Sequence, residues 1–378
     1  IIINLRLYRS TIAPAKGVDA CEVHQSAHED RLVYTCRLDP EVDNSGYAGV
    51  VRVVREGGVA HMDGDALVIE GATSLLLLTR IGHFQDFADE HVEALSRAVD
   101  AVVADYAVLL GRARAVQSEM MNRVTVDFGA AAQYGMSTEE LLADQRTRTD
   151  YSPALLTRAV EMGRYWFLLT SGKYPGIAAE TNATIDLQTA GAVQGALREG
   201  MDAYFAWTES LARDYETNAR NTFGLPGAVY PLFPDKGMGA SFYYTGHSAF
   251  GLWPYWISAG GWRLRPFWDH YLVTGDAEFL RTRIVPALTA LALFYEGFLT
   301  TTDPRGHFLF VPSVSPENMP VSLDPSGPAL VNATMDISVC REVLSNLIQA
   351  SEVLGTDAAS IPRWDVLLSR MPPYLVEL

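Results

Sequence analysis

Apolar and polar positions alternate in short runs up to about Arg80, then give way to a spacing of three and four that persists along the rest of the chain. The alternating runs are residues 32–38, 49–54, 66–69 and 74–79, with Asp43-Asn44-Ser45-Gly46 and Gly57-Gly58 as turns between them. Such runs predict antiparallel sheet, arranged as a sandwich. Residues 68–77 are expected to form a hairpin around Glu70-Gly71-Ala72. From His91 the period is helical: Val92, Leu95, Val99, Val102, Val103, Tyr106 and Leu109 mark one buried face of a helix bridging two domains. Ser137-Thr138-Glu139-Glu140 reads as a capping box, and Ser152-Pro153 as a second helix start with proline in the first turn.

Beyond Ser152 the pattern predicts helices over residues 153–170, 189–212, 250–273, 276–299 and 336–354. Long polar and Pro/Gly-rich stretches, residues 224–243 and 303–334, separate them, and their length points to function rather than connection. Paired helices with long loops suit an α/α toroid. The expected division is a β-sandwich domain over residues 1–90, a helical linker over 91–151 and a toroid over 152–378.

At 378 residues and 48% hydrophobic content the chain can bury one large core or two ordinary ones. A net charge of −16 without a basic cluster excludes a nucleic-acid partner held through phosphates, and leaves a neutral ligand such as a sugar compatible. No apolar run is long enough for a membrane span. Cys21, Cys36 and Cys340 are odd in number with no CxxC spacing, so neither a disulfide framework nor structural zinc is expected; Cys21 and Cys36 could pair across a hairpin, but free buried thiols are the favoured reading. The first residue, Ile1, is not methionine, and both ends read as cut.

Candidate chemistry centres on PSVSPEN, residues 312–318. Two prolines fix φ around one carboxylic acid, and a stiff loop can aim Glu317 as a proton donor, where a solvated surface turn is the plainer reading. Trp253, Trp256, Trp262 and Trp268 crowd one segment. Aromatic faces stack on sugar rings; Trp253, ahead of Pro254, is expected to form a pocket wall, whereas Trp262 and Trp268 suit core packing. Gly260-Gly261 in the same helix predicts close approach of a neighbouring helix. His247, in a polar aromatic loop, is read either as a hydroxyl-binding group or as a structural histidine. In NATIDLQ, Asp186 and Gln188 alternate around Leu187 and share one side if extended, although Asp186 also fits a helix N-terminus. Asp336 in NATMD carries the same pair of readings, sugar contact or helix cap. There is no HExxH or paired-histidine pattern, so neither a catalytic metal nor a cofactor is expected.

The chain resembles the inverting α-L-fucosidases of glycoside hydrolase family 95. The likeness is carried by residues 163–171 (GRYWFLLTS), 253–281 (WPYWISAGGWRLRPFWDHYLVTGDAEFLR), PSVSPEN and 332–355 (NATMDISVCREVLSNLIQASEVLG). It implies a β-sandwich, helical linkers and an (α/α)6 barrel, with secretion or a periplasmic location and a glycan substrate. By it Glu317 falls on the general acid, with Asn318 next to it in the sequence; His247, Trp253, Gln188 and Asp336 remain the candidate substrate contacts read from the residues themselves. Where the family has an Asn-x-Asn pair that orients water, this sequence has Asp186-Leu187-Gln188, a departure that leaves α-L-fucose and α-L-galactose both open. Asp186 is then the local candidate for the base, and the family's further aspartate falls beyond Leu378. A carbohydrate-binding relative without turnover is the competing expectation. Phosphorolysis would need an anion site, and the nearest arginines, Arg263 and Arg265, are expected on a helix surface.

Overall fold

The computed structural model describes residues 2–5, 21–28, 30–38, 44–64, 66–172, 185–231, 256–315 and 330–374. The chain divides into two compact units, Ile1–Val116 and Gln117–Leu378, and the boundary falls inside the stretch expected to be a linker.

The first unit is built on a five-stranded antiparallel sheet in the order β1-β5-β4-β3-β2. Its strands are β1 (Ile2–Leu5), β2 (Cys21–His28), β3 (Arg31–Leu38), β4 (Gly46–Asp63) and β5 (Ala66–Phe84). The expected hairpin around Gly71 does not form, because β5 runs straight through it and pairs with β4 from Gly46↔Phe84 to Asp63↔Ala66. Nor is Gly57-Gly58 a turn between strands. It lies at a bulge where the register slips between Glu56↔Ser74 and Gly57↔Ala72, and the Thr73 hydroxyl closes the gap by donating to the Glu56 carbonyl at 3.0 Å. Both glycines have φ of 67°, and a side chain on Gly58 would start 2.4 Å from the Glu70 carbonyl oxygen. Opposite Cys36 stands Val23 rather than Cys21.

Helix α1 (Asp89–Asp100) packs Val92, Leu95 and Val99 on Val50 and Leu78 of the sheet. The expected continuous helix breaks at Ala101, and α2 (Tyr106–Asn122) begins afresh. Val102 and Leu109 still join that core, but Val103 and Tyr106 are exposed, so the apparent single face was two short ones.

In the second unit the helix starts follow the local signals. Ser137 and Glu140 exchange the two capping-box bonds at the head of α3 (Thr138–Gln145), and the Ser152 hydroxyl accepts from Leu155 N–H at the head of α4 (Pro153–Thr170). The helix expected over 189–212 is instead α5 (Ile185–Gln194), a 3-10 turn (Arg198–Met201) and α6 (Asp202–Ser210). Then come α7 (Ala212–Asn218) and a π turn (Ala219–Phe223). Helix α8 (Ala259–Thr274) ends at Gly275. The short α9 (Ala277–Phe279), capped by Asp276, passes through a second π turn (Leu280–Ile284) into α10 (Val285–Phe298). Last are α11 (Thr334–Leu354) and α12 (Ile361–Ser369).

The glycine pair of α8 does what its sequence suggests. A Cβ on Gly260 would lie 2.6 Å from Leu291 of α10, and one on Gly261 would lie 2.4 Å from Val339 of α11. Absence of side chains therefore lets α8 seat closely on both helices at once. Around that junction Phe205, Phe267, Phe294, Tyr295 and Leu344 form the centre of one large apolar core. Trp268 is buried in it and Trp262 packs against it half-buried, as their helical spacing predicts.

Candidate active site

Four of the residues nominated from sequence, Glu317, Asn318, His247 and Trp253, lie outside the described residues. Asp186 and Gln188 stand in the first turn of α5, where the backbone is helical rather than extended. The extended segment expected there is not the backbone present. The helix-start reading of Asp186 matches this backbone.

Asp336 is fully described, and it is the third residue of α11. Its side chain is 0% exposed. One carboxylate oxygen, Oδ2, accepts two hydrogen bonds from the start of the proline-rich loop, from Ser313 Oγ at 2.7 Å and from Val314 N–H at 2.9 Å. The Ser313 hydroxyl in turn accepts from Ala333 N–H at 2.9 Å, directly ahead of α11. The other oxygen, Oδ1, has no hydrogen bond within normal distance among the described residues. Asp336 also accepts through its main chain: Ser258, at the head of α8, donates to its carbonyl at 3.2 Å. One residue thus joins the loop, α11 and the entry to α8.

The loop base is closed independently by main-chain pairing. Ser313 N–H donates to the Leu330 carbonyl at 2.9 Å, and Leu330 N–H returns to the Ser313 carbonyl at 2.7 Å. Just outside that pair, Asn332 holds a left-handed φ of 59°, which lets its side-chain oxygen accept from Phe310 N–H at 2.8 Å. The Val311–Pro312 peptide is cis.

Burial pushes the Asp336 carboxyl up to about 6, and the Ser258 and Ser313 hydroxyls with Val314 N–H hold it from rising further. Its titratable neighbours are Tyr295 and Cys340. Burial raises both well above their ordinary values, and the Asp336 charge adds to this, so both stay protonated near neutrality. Among the described residues no basic side chain pairs with Asp336. A carboxyl so placed has no solvent-facing atom, and its described partners all belong to the protein.

Trp256 is buried, with its indole N–H unpartnered, and so offers no open face to a ring. Arg263, expected at the surface, is also buried; its guanidinium lies 5.8 Å from the Trp207 ring centre. Arg265 is at the surface as expected, paired with Asp269 and Glu342. A separate cavity of about 420 Å³ opens between α7, α8 and α10 beside Tyr215, Tyr230, Phe267 and the Arg283–Glu209 ion pair. None of the nominated residues lines it. Sequence reading missed Ser258 and Tyr295, since nothing local marks a serine before α8 or a tyrosine in α10 as a neighbour of residue 336, whereas Cys340 is the free buried thiol expected.

An antiparallel sheet unit followed by paired helices, with a buried carboxyl fastening a proline-rich loop, describes a class of two-unit helical proteins. The glycosyl hydrolase family 95 catalytic domain matches residues 105–377, and the chain belongs to that family. It is similar to alpha-L-fucosidase 2 of Arabidopsis thaliana, at 27% identity over 368 residues, covering 85% of this chain. The chain spans 41% of that relative's length. Its fold is similar to the solved structure of a "putative kojibiose phosphorylase from human microbiome", with a TM-score of 0.54 at 10% identity, covering 93% of this chain and 46% of the other. No helix among the described residues is long and apolar enough to cross a membrane.

Proposed function

We propose that this chain supplies the proton-donating side of a glycoside hydrolase site that cleaves an α-L-fucosidic or related α-L-galactosidic bond with inversion. Family membership over residues 105–377 supports the reaction class, and the similarity to a plant alpha-L-fucosidase supports the sugar class. The observation that carries the reading is the buried fastening of Ser313 and Val314 by Asp336, because Glu317 follows Val314 by three residues. A proton donor is effective only when held within hydrogen-bond reach of the leaving oxygen.

In this scheme Glu317 gives its proton to the glycosidic oxygen as the bond to the anomeric carbon breaks. Water attacks from the opposite face and loses its proton to a base. Asp186 is the base nominated within this chain, and its place in the first turn of α5 suits a carboxylate, since the N-terminal end of a helix favours negative charge. Inverting pairs stand roughly 6.5–9.5 Å apart, which leaves room for that water. Gln188, His247, Asn318 and Trp253 are proposed to hold the ring and its hydroxyls. The sheet and the helical pairs are read as parts of a sandwich and of an (α/α)6 barrel.

The test is hydrolysis of alkyl α-L-fucosides and α-L-galactosides, whose leaving groups need a proton, by the full chain and by Glu317→Gln, with the first-formed anomer read by NMR. Loss of at least about a hundredfold with the β anomer appearing first is expected. Activity that survives the substitution removes Glu317 from the mechanism, and an α anomer first removes inversion. Sugar binding without turnover by the unmodified chain establishes the carbohydrate-binding alternative.

A further inference from the structure

We propose that Asp336 is the positioning residue of this site: it touches no substrate, and it sets the acid-bearing loop in register with the head of α8. The inference rests on the hydrolase reading for its kinetic consequence, but its structural content stands apart from it. Two bonds run from one buried carboxylate oxygen to Ser313 and Val314, and a third runs from Ser258 to the main chain of the same residue. Ser313 and Val314, which precede Glu317 in the sequence, and Ser258, at the head of α8, are thereby referred to one fixed point, the first turn of α11. Behind that turn Ile337, Val339 and Cys340 are buried in the core.

The chemistry of the clamp needs an acceptor rather than a charge. Oδ2 receives both loop bonds. Asparagine retains one acceptor oxygen at nearly the same place, and alanine retains none. The two substitutions therefore separate the clamp from the carboxyl's mere presence.

Two readouts test this on the full chain with Asp336→Ala, Asp336→Asn and Ser313→Ala. In hydrogen exchange, Asp336→Ala is expected to lose protection at the amides of Val314 and Ala333 while Leu344 and Leu347 of α11 keep theirs, and Asp336→Asn to restore most of it. Unchanged protection at Val314 overturns the proposal whatever the activity. In kinetics, Asp336→Ala is expected to lose about a hundredfold in kcat on an alkyl α-L-fucoside, with KM moving much less, because misplacing a catalytic group by about 1 Å costs that much. With a dinitrophenyl leaving group, which needs little protonation, the loss should shrink to about tenfold or less.

Equal losses on both substrates mean general damage and overturn the positioning role. Ser313→Ala removes one of the two loop bonds and should show a smaller share of the same selective loss, which keeps the test decisive if the alanine variant at 336 fails to fold. If the unmodified chain hydrolyses neither substrate, the hydrolase reading falls, and the exchange measurement alone decides whether Asp336 sets the loop.

Discussion

The sheet unit and the helical unit handle polar groups in opposite ways. In the first, the one buried polar residue among those described is Ser45, and ionic contacts such as Arg31–Asp100 and Arg37–Asp89 remain at the surface. In the second, Arg263 and Asp336 are buried outright, together with Ser258, Ser313 and Asn218. Exposed ion pairs contribute little and tolerate change, whereas a buried carboxyl must be answered by donors placed in advance. The helical unit therefore holds polar geometry that cannot drift, which is what a site needs and what a sheet solvated at its charges does not provide.

The largest expected effect sharpens that contrast through pH. The folded-state value of Asp336 is raised to about 6 from 3.8, so the folded chain holds this proton more tightly than the unfolded one. Stability from this group is then greatest below about pH 4 and falls as pH rises through about 6, by on the order of 3 kcal/mol. Ser258 and Ser313 do not titrate, and Tyr295 and Cys340 remain protonated across that window. The difference in unfolding free energy between the unmodified chain and Asp336→Asn, measured by chemical denaturation at several pH values, should carry this slope. Parallel slopes in the two would sink the argument.

A smaller pair of effects probes the two glycine doublets. Gly58→Ala must adopt a left-handed φ and meet the Glu70 carbonyl, and backbone cannot swing aside, so a loss of about 2 kcal/mol is expected. Gly261→Ala pushes a methyl against Val339 and Val343, two stiff branched side chains. Overpacking outweighs the gain in helix propensity there, leaving a net loss of about 1–2 kcal/mol. Gly57→Ala shares the left-handed φ with open space around it, and should cost about 1 kcal/mol. All seven tryptophans lie beyond Val116, so their fluorescence reports the helical unit while far-UV circular dichroism reports both. If Gly58→Ala shifts the tryptophan transition as much as Gly261→Ala does, the two units unfold together and the contrast between them is structural only.

Features written in neighbouring residues were legible in the sequence. Ser137 with Glu140, Ser152 with Pro153, and Gly260-Gly261 each acted as their local chemistry dictates. Glycines in the β-ribbon misled because a bulge and a turn ask for the same left-handed backbone, and only pairing across β4 and β5 tells them apart. The break at Ala101 was hidden because Val102 and Leu109 still reach the core from separate segments. Asp186 and Gln188 took a helical backbone because α5 begins four residues before the start expected at Thr189. For Asp336 the two readings available locally, cap or ligand contact, both failed to include partners more than twenty positions upstream. A carboxyl at the third position of a helix shows nothing in one dimension about the loop that will bond to it.

The reciprocal main-chain bonds between Ser313 and Leu330 have a consequence for how such a protein can diverge. They bring the two ends of residues 314–329 to one point on the scaffold, so the path between those ends can lengthen, shorten or exchange its side chains without altering where the chain re-enters α11. Sequence change in that stretch and integrity of the scaffold become separately heritable traits, with the seam between them at a single pair of amides.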